Sequence, residues 1–368
     1  MITVKENTGE AGALARRFVM PPFTALDGRS GAWQERKRAW LSLGIEGEVQ
    51  ASGRAANLAF NTTDFIRSSG KADNVAWVAG TSIFDPVLTE CLIEWFSPQA
   101  SRLLDPFAGG SVRGVVAAKL GRTYCGIELR PEQVAANESQ RQKILGEVPN
   151  PRWICGDSRE VLDTIPDPMD MILTCPPYGH LEVYSNNPVD LSYIAKQDHA
   201  AFLAGYRAIV AKSAARLADN RFAVYVVGDY RDSRGIYMNF TGETIAAHEA
   251  CGLKYYNEAI LINPAGTLPI RVTSQMQVSR KLGRCHQTVL VFVKGDPKLA
   301  AQACLANAPA ELGYKGLPTV SKPKRSNSRS KISSGVSPQL PNEVGAGDGQ
   351  VAVEDRVSID PKSGEFGG

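Results

Sequence analysis

Short apolar runs alternate with longer amphipathic patterns through the middle of the chain. Seven apolar runs have the length of β-strands, at residues 102–105, 124–128, 153–156, 169–174, 222–227, 259–262 and 288–293. Between most of them, apolar positions recur at helical spacing, at residues 112–120, 131–145, 199–217 and 242–251. This alternation predicts an α/β fold with a doubly wound, mostly parallel sheet of seven strands.

The same pattern divides the chain into three parts. Residues 1–80 form an N-terminal extension with little strand pattern, residues 81–297 carry the predicted α/β domain, and residues 298–368 form a polar tail rich in Ser, Pro and Gly. Because such a tail buries too little apolar surface to offset chain entropy, we expect it to be disordered. Its basic run at 322–331 fits either a solvated linker or a non-specific phosphate contact.

Composition narrows the class of protein. Of the 368 residues, 43% are hydrophobic, which suits a globular core, and a net charge of +3 neither establishes nor excludes nucleic-acid binding. The seven cysteines are dispersed without a CxxC pair, which predicts reduced thiols and no metal site. The sequence shows neither a membrane-length apolar stretch nor the apolar core of a signal peptide, so we expect a cytoplasmic protein without membrane contact.

A glycine-rich loop follows the first predicted strand of the domain. It runs from Asp105 through Phe107, Gly109 and Gly110 to Ser111, directly before a predicted helix. The glycines allow a tight turn and a close approach to a ligand, and Ser111 is placed to cap the helix. Turns of this kind also bind NAD or ATP, but the GxGxxG pattern and the Walker lysine are absent. The loop therefore predicts a cofactor site of another kind, or an ordinary tight turn.

Acidic side chains close the next two predicted strands. Glu128 lies about twenty residues beyond the loop, where a carboxylate can accept both hydrogen bonds of a ribose diol. Asp157 closes the third strand, where it either accepts from an adenine amino group or caps the following helix. Since the carboxyl ends of parallel strands meet at one edge of a sheet, we expect these residues to lie together.

The tetrapeptide Cys175-Pro176-Pro177-Tyr178 follows the fourth predicted strand. Consecutive prolines remove two N–H donors and fix the backbone, so a rigid carbonyl is left facing the cleft. Such a carbonyl can accept a hydrogen bond from a target amine, and Tyr178 offers a flat face to a base that has left its helix. The tetrapeptide therefore predicts methyl transfer to an exocyclic amine, or else a proline-rich loop with a packing tyrosine.

The order of Phe84-Asp85-Pro86, the glycine-rich loop and the Pro-Pro-Tyr motif resembles the N4-cytosine/N6-adenine DNA methyltransferase family. Residues 21–27 and 33–40 are similar to the lead-in of phage and prophage DNA methylases. The resemblance implies a class I, Rossmann-like fold and S-adenosylmethionine (SAM) as cofactor. It also implies methylation of a flipped adenine (N6) or cytosine (N4) in double-stranded DNA, as in restriction–modification.

The resemblance also implies roles for particular residues. Phe84 and Asp85 would line the methionine end of the cofactor, and residues 105–111 would form its main loop. Glu128 would hold the ribose and Asp157 the adenine. Tyr178 would stack on the flipped base.

Two positions depart from the family pattern. Ser111 stands where the family has a glycine, and Cys175 stands where it has Asp, Asn or Ser. A thiol is a weak hydrogen-bond acceptor, so part of the usual hold on the amine is lost. Three alternatives stay open: methylation of RNA or another amine, C5-cytosine methylation with Cys175 as nucleophile, and a binding module that has lost its chemistry.

Basic residues near the C-terminal end of the domain predict the DNA contacts. Loops at about 229–240 and 263–286 are the expected recognition elements, and the second contains Arg271, Arg280, Lys281 and Arg284. A second cluster at residues 36–38, flanked by Trp33 and Trp40, fits either a phosphate contact or a solvated helix face.

Overall fold

One mixed sheet of eight strands organises the part of the chain that the structure, a computed structural model, describes: residues 13–48, 83–166, 168–266 and 268–305. Our expectations for residues 306–368 of the tail lie outside these ranges. The strands are β1 (Ala25–Asp27), β2 (Arg102–Asp105), β3 (Thr123–Glu128), β4 (Arg152–Cys155), β5 (Met169–Thr174), β6 (Leu217–Val227), β7 (Lys254–Ile262) and β8 (His286–Lys294).

Helices connect most of the strands and cover both faces of the sheet. They are α1 (Ala13–Phe18), α2 (Gly31–Leu41), α3 (Pro86–Phe96), α4 (Val112–Lys119), α5 (Pro131–Leu145), α6 (Ser158–Val161), α7 (Leu191–Gln197), α8 (His199–Arg216), α9 (Phe240–Ala250), α10 (Leu268–Ser279) and α11 (Pro297–Leu305). A short 3₁₀ turn, Leu162–Thr164, follows α6.

The strand order is β1-β7-β8-β6-β5-β2-β3-β4. Only β8 runs against its neighbours β6 and β7, and the other pairs are parallel. Counting β2 as the first strand, β4-β3-β2-β5-β6 is the 3-2-1-4-5 order of a Rossmann-like fold. The predicted doubly wound, mostly parallel α/β sheet is thus confirmed, with eight strands instead of seven.

The eighth strand, β1, lies in the N-terminal extension and pairs in parallel with β7. It has three residues, of which only Leu26 is buried. So short a segment carries no measurable alternation of apolar and polar positions, which is why the sequence pattern missed it. Its place is set by backbone pairing with an edge strand.

Alternate residues of the central strands supply two separate cores. On β2, Leu103 belongs to the core under α3 and α4, whereas Leu104 belongs to the core under α8 and α9. The same alternation continues on β6, where Val224 and Tyr225 point to opposite faces. Because the sheet is buried on both sides, the sequences of these strands are continuous apolar runs.

The described part of the N-terminal extension, residues 13–48, packs into the first of these cores; our expectations for its other residues lie outside the described ranges. Trp33 and Trp40 of α2 are each 1% exposed. The Trp40 indole donates to Glu90 at 2.8 Å, and Arg36 donates to the same buried carboxylate. Arg36 is therefore committed to an internal ion pair, which argues against its predicted alternative role in phosphate contact.

A helix crosses the C-terminal boundary predicted for the domain. Helix α11 begins at Pro297, the last residue of the predicted domain, and continues into the predicted tail as far as Leu305. Its Ala300 is 1% exposed and belongs to the core beneath α3. Ala300 and Cys304 pack against this core, and composition averaged over the whole tail concealed so short an apolar stripe. Among the described residues, no helix combines the length and hydrophobicity needed to cross a bilayer.

Candidate active site

A cavity of about 400 Å³ opens at the carboxyl ends of the parallel strands, where the winding direction reverses between β2 and β5. Ligands of open α/β sheets bind at this switch point. Ten of the candidate residues from the sequence line the cavity: Phe84, Asp85, Phe107, Gly109, Glu128, Asp157, Cys175, Pro176, Pro177 and Tyr178. The fold thus brings the glycine-rich loop, the acidic strand ends and the tetrapeptide to one place.

The glycine-rich loop is shaped around Gly109, whose φ of +50° favours glycine. Its N–H donates to Glu128 at 3.0 Å, and its carbonyl accepts from Asn137 at 2.7 Å. A Cβ at this position would lie 2.7 Å from a carboxylate oxygen of Glu48. The backbone angle therefore favours glycine, a side chain here would also have to displace the Glu48 carboxylate, and Gly109 itself lines the cavity.

Asp105 does not reach the cavity, contrary to the prediction that it contacts the cofactor. It is fully buried and accepts hydrogen bonds from Arg113 at 2.5 Å, Tyr124 at 2.8 Å and Thr174 at 2.5 Å. The Phe107 N–H donates to it as well, at 3.1 Å. Asp105 thus stabilises the conformation of the loop from the buried side. All its acceptor positions are occupied by donors of the protein, so none is left for a ligand.

Arg113 completes this arrangement and was not anticipated from the sequence. Besides pairing with Asp105, it donates to the carbonyls of Phe107 at 2.8 Å and Ala108 at 2.9 Å. Its guanidinium also lies 4.5 Å from the centre of the Phe84 ring, within the range of a cation–π contact. One buried cation therefore ties the loop to Phe84 at the rim.

Gly110 and Ser111 also lie off the cavity wall. The Gly110 N–H donates to Glu48 at 3.3 Å. Ser111 makes no capping hydrogen bond, so its predicted role as helix cap is wrong, and its hydroxyl instead donates to Gln140 at 2.8 Å. Ser111 is fully buried, so a serine at this position leaves the cavity wall unchanged.

Glu128 stands at the end of β3 with its carboxylate between two backbone donors. One oxygen accepts from Gly109 N–H and the other from Arg130 N–H, each at 3.0 Å. Burial raises the pKa of Glu128, while the Arg130 N–H and charge and the Gly109 N–H oppose that rise. The Oε1 oxygen also pairs with the Arg130 guanidinium at 3.4 Å, whereas Oε2 has a lone pair left for a further donor.

Asp157 takes the role of helix cap, one of the two predicted alternatives, while it also lines the cavity. It accepts from Arg159 N–H at 2.9 Å and pairs with the Arg159 guanidinium at 2.6 Å. Asp85 caps α3 in the same way, accepting from Val87 N–H at 2.9 Å, and Lys37 donates to its second oxygen at 2.9 Å. Both aspartates are therefore held rigidly at the cavity edge.

The tetrapeptide begins where buried Thr174 ends β5. Pro176 is buried, and Cys175, Pro177 and Tyr178 are partly exposed toward the cavity. Burial raises the pKa of Cys175 to about 11, even though the Arg113 charge lowers it, and its Sγ lies 3.3 Å from the Tyr178 hydroxyl. The thiol is thus protonated at neutral pH.

Tyr178 is fixed at both its ring and its hydroxyl. A Cβ on Gly228 would lie 3.0 Å from the ring, so one side of Tyr178 packs against the backbone after β6. Its hydroxyl accepts from Gln287 at 3.1 Å and lies 3.4 Å from the Val226 carbonyl, which it faces as donor. The ring is therefore held by contacts that the sequence did not indicate.

Several lining residues come from segments that sequence reasoning passed over. Gln287 opens β8, and because β8 is antiparallel its first residues lie at the same edge as the ends of its neighbours. Further lining residues that the sequence did not single out include Glu48, Arg113, Tyr184 and Asn263, and Lys37 of the basic cluster at 36–38 lines the cavity as well. The sequence has a carboxamide residue directly after one predicted strand, at 263, and another directly before the next, at 287. These two positions could have indicated residues of the site.

The predicted DNA-contacting residues lie outside the cavity. Helix α10 occupies much of the segment expected to be a loop, and it carries Arg271. Arg280 is exposed just beyond it. The Lys281 ammonium lies against Gly235, 2.2 Å from the place that a Cβ on this glycine would take. Arg284 lies 3.5 Å from Asp229 and also donates to the His286 carbonyl, so it is partly committed within the protein.

Comparison with known proteins gives only distant likenesses. No family model matches the chain, and no curated protein matches it. Among solved structures, it is similar to TrmN from Thermus thermophilus (16% identity, TM-score 0.38), with 57% of this chain and 49% of that chain covered. This chain thus spans about half the length of TrmN.

Two further likenesses are of the same order. A TehB-like SAM-dependent methyltransferase from Corynebacterium glutamicum shows 19% identity and a TM-score of 0.36 over 64% of this chain and 100% of that chain. A candidate DNA modification methylase from Thermus thermophilus shows 19% identity and a TM-score of 0.29 over 38% of this chain and 51% of that chain. At such values the functional argument rests on the cavity itself.

Proposed function

We propose that the protein is a SAM-dependent methyltransferase that acts on the exocyclic amine of adenine (N6) or cytosine (N4) in double-stranded DNA. The observation that carries this proposal is that Cys175-Pro176-Pro177-Tyr178 lines the same cavity as Gly109, Glu128 and Asp157. A cofactor held by the last three and an amine held by the tetrapeptide would therefore meet.

The residues present fit SAM. A cavity of about 400 Å³ lies in the usual range for small-molecule sites, roughly 300–1,000 Å³. The Glu128 Oε2 has a lone pair left for one hydroxyl of a ribose, and Oε1, which also pairs with Arg130, would face the other. Gly109 lines the same cavity without a side chain of its own. When bound, SAM supplies an electrophilic methyl group.

The tetrapeptide would orient the amine. The two prolines carry no N–H to occupy a neighbouring acceptor, and the Pro176 carbonyl would face the cleft and accept a hydrogen bond from the amine. The exposed side of the Tyr178 ring would stack on the base. The amine loses its proton to solvent after transfer, so no general base is required.

The alternative of C5-cytosine methylation finds little support in the geometry. A nucleophilic thiol must be ionised, whereas burial raises the pKa of Cys175 to about 11 and its Sγ lies in contact with the Tyr178 hydroxyl. An RNA or other amine as substrate remains compatible with the cavity, because every base presents a flat face to Tyr178.

Methyl transfer from isotopically labelled SAM tests the proposal. We would offer native genomic DNA and total RNA to the purified full chain, digest the products, and separate the nucleosides by chromatography. We expect label in N6-methyladenine or N4-methylcytosine from DNA, and single-molecule sequencing then gives the modified sequence. Label only in RNA, only in 5-methylcytosine, or nowhere despite cofactor binding would contradict the proposal.

A further inference from the structure

The segment between β6 and α9, residues 228–239, forms a hairpin beside the candidate active site. It starts at Gly228, which packs on the Tyr178 ring. Two residues later, Tyr230 lies against Gly179, where a Cβ would come within 2.2 Å of its ring. This 228–239 hairpin therefore rises directly from the mouth of the cavity.

The hairpin is rigid for an exposed loop. Arg231 and Tyr237 pair as an antiparallel bridge. Inside it, Asp232 N–H donates to the Ile236 carbonyl at 2.9 Å, and Ile236 N–H donates to the Asp232 carboxylate at 2.8 Å. Gly235, with φ of +88°, closes the turn by donating to the Asp232 carbonyl at 2.9 Å. The tip is thus fixed before any partner binds.

The fixed tip presents apolar side chains to solvent. Ile236 is 61% exposed and Tyr237 is 43% exposed. Tyr237 is kept in place by the Arg231 guanidinium, which lies 3.7 Å from its ring centre and donates to the Gly235 carbonyl at 2.8 Å. A rigid loop that holds a branched apolar residue away from the core points to a partner that receives it.

Cationic side chains lie on and beside this hairpin. The Arg234 side chain is 82% exposed, and the Lys281 ammonium lies against Gly235. The two nearby carboxylates are already paired, Asp232 with Arg234 and Asp229 with Arg284. An apolar tip flanked by positive charge fits a polyanion with an apolar interior, which is a stacked nucleic acid.

We propose that the 228–239 hairpin is a wedge that enters duplex DNA next to the target base, with Ile236 between base pairs and Arg234 and Lys281 on the flanking phosphates. The inference rests on the proposed DNA substrate. A base inside a duplex cannot reach a cavity of this kind until it is unstacked, and apolar side chains inserted between base steps unstack and kink DNA. The hairpin lies beside the cavity, where the target base would have to be unstacked.

Fluorescence of 2-aminopurine, which rises on unstacking, tests the wedge without depending on methyl transfer. The probe is a pool of mixed-sequence duplexes with 2-aminopurine at random adenine positions, mixed with the full chain and S-adenosylhomocysteine. We expect a rise with the wild type and a rise about tenfold smaller with Ile236→Ala, since the cost of unstacking is then no longer offset. DNA affinity by anisotropy should fall less than about threefold, because the phosphate contacts remain.

Two further variants make the result specific. Ile236→Met keeps an apolar tip and should retain the fluorescence rise. Leu299→Ala removes a comparable side chain that is 50% exposed on α11. This helix lies at the end of β6 and β8 away from the hairpin, so the variant should behave as the wild type. Ile236→Ala should also lower methyl incorporation into native genomic DNA about tenfold.

The outcomes separate the wedge from the proposed function. Equal fluorescence and equal methyl incorporation for Ile236→Ala and wild type would overturn the wedge while the DNA methyltransferase stands. A fluorescence rise that depends on Ile236, without any methyl transfer to DNA, would support the wedge and overturn the methyltransferase. A rise only with duplex RNA carrying the same fluorophore would overturn the DNA partner.

Discussion

The two sides of the cavity are built from different interactions. On the side of β2, β3 and β4, the glycine-rich loop rests on a buried charge pair, Arg113 with Asp105, and on the Glu128 carboxylate. On the side of β5 to β8, the tetrapeptide rests on aromatic packing and neutral hydrogen bonds, with Tyr178 6.5 Å from Phe240. We call these the cofactor side and the base side.

This difference has a physical consequence. A buried ion pair with several hydrogen bonds is intolerant of change, because removal of one partner leaves an uncompensated charge. Aromatic packing and neutral hydrogen bonds can shift at lower cost. The stiffer side therefore fits the proposed cofactor, whose shape is constant, and the softer side fits the proposed base.

The largest effect should follow loss of the Asp105 carboxylate. Asp105→Ala leaves Arg113, 5% exposed, without its charge partner and removes the acceptor of Tyr124 and Thr174. Breaking a buried pair costs about 3–5 kcal/mol of unfolding free energy. Chemical denaturation measures this cost. Asp163→Ala, which breaks an exposed pair with Lys212, is the control and should cost less than about 1 kcal/mol. Equal losses would show that the contrast is wrong.

Glu128 should control cofactor affinity without affecting the base side. Glu128→Ala removes up to two charge-assisted hydrogen bonds, each worth about 1.5–3 kcal/mol, so the affinity for S-adenosylhomocysteine should fall tens-fold or more. Isothermal titration calorimetry checks this result, with Glu132→Ala, on an exposed carboxylate next in the chain, as the control. Unchanged affinity would remove Glu128 from the cofactor site.

Protonation of Glu128 should also make the binding of S-adenosylhomocysteine depend on pH. Burial raises the pKa of Glu128, so its carboxylate takes up a proton at a higher pH than an ordinary glutamate. A protonated carboxyl accepts fewer hydrogen bonds, and affinity for S-adenosylhomocysteine should therefore decline as the pH falls through this raised pKa. Glu128→Ala should lose this part of the pH profile. A wild-type profile that declines only in the ordinary range of glutamate would contradict the assignment.

On the base side, the ring and the hydroxyl of Tyr178 should have separable effects. Tyr178→Ala loses stacking worth about 1–3 kcal/mol, which lowers turnover while cofactor affinity stays within about twofold. Tyr178→Phe keeps the ring and loses the contacts with Gln287 and Cys175, and Gln287→Ala loses one of them. Each of these should cost about 0.5–1.5 kcal/mol in kcat/KM. If Phe is as damaging as Ala, the hydroxyl acts in the reaction itself.

The two sides also differ in how far the sequence could reveal them. On the cofactor side, each βα unit places its site residues within a few positions of a strand end, so Gly109, Glu128 and Asp157 could be located from local pattern. What local pattern could not show is that Asp105 and Ser111 point away from the cavity, because their direction depends on Arg113 and Gln140.

On the base side, the tetrapeptide was visible but its supports were not. Gln287 reaches Tyr178 across 109 positions of the sequence, through an antiparallel strand inserted between two parallel ones. The pairing of β8 is decided by tertiary contacts, which a single sequence does not record. The extra strand β1 and the helix at 297–305 were missed for the same reason, since both are short and are held by the sheet they join.

The smallest effect should come from Cys175→Ser, and it decides between two chemistries. If the amine is the target, serine keeps the size and accepts hydrogen bonds better than a thiol, so activity should be retained or raised. If Cys175 were a C5 nucleophile, the same change would abolish turnover, and DNA containing 5-fluorocytosine would trap the wild type covalently. Because burial holds the pKa of Cys175 at about 11, we expect an active serine variant and no adduct by denaturing electrophoresis. An inactive variant together with a trapped complex would replace amino methylation with C5 chemistry.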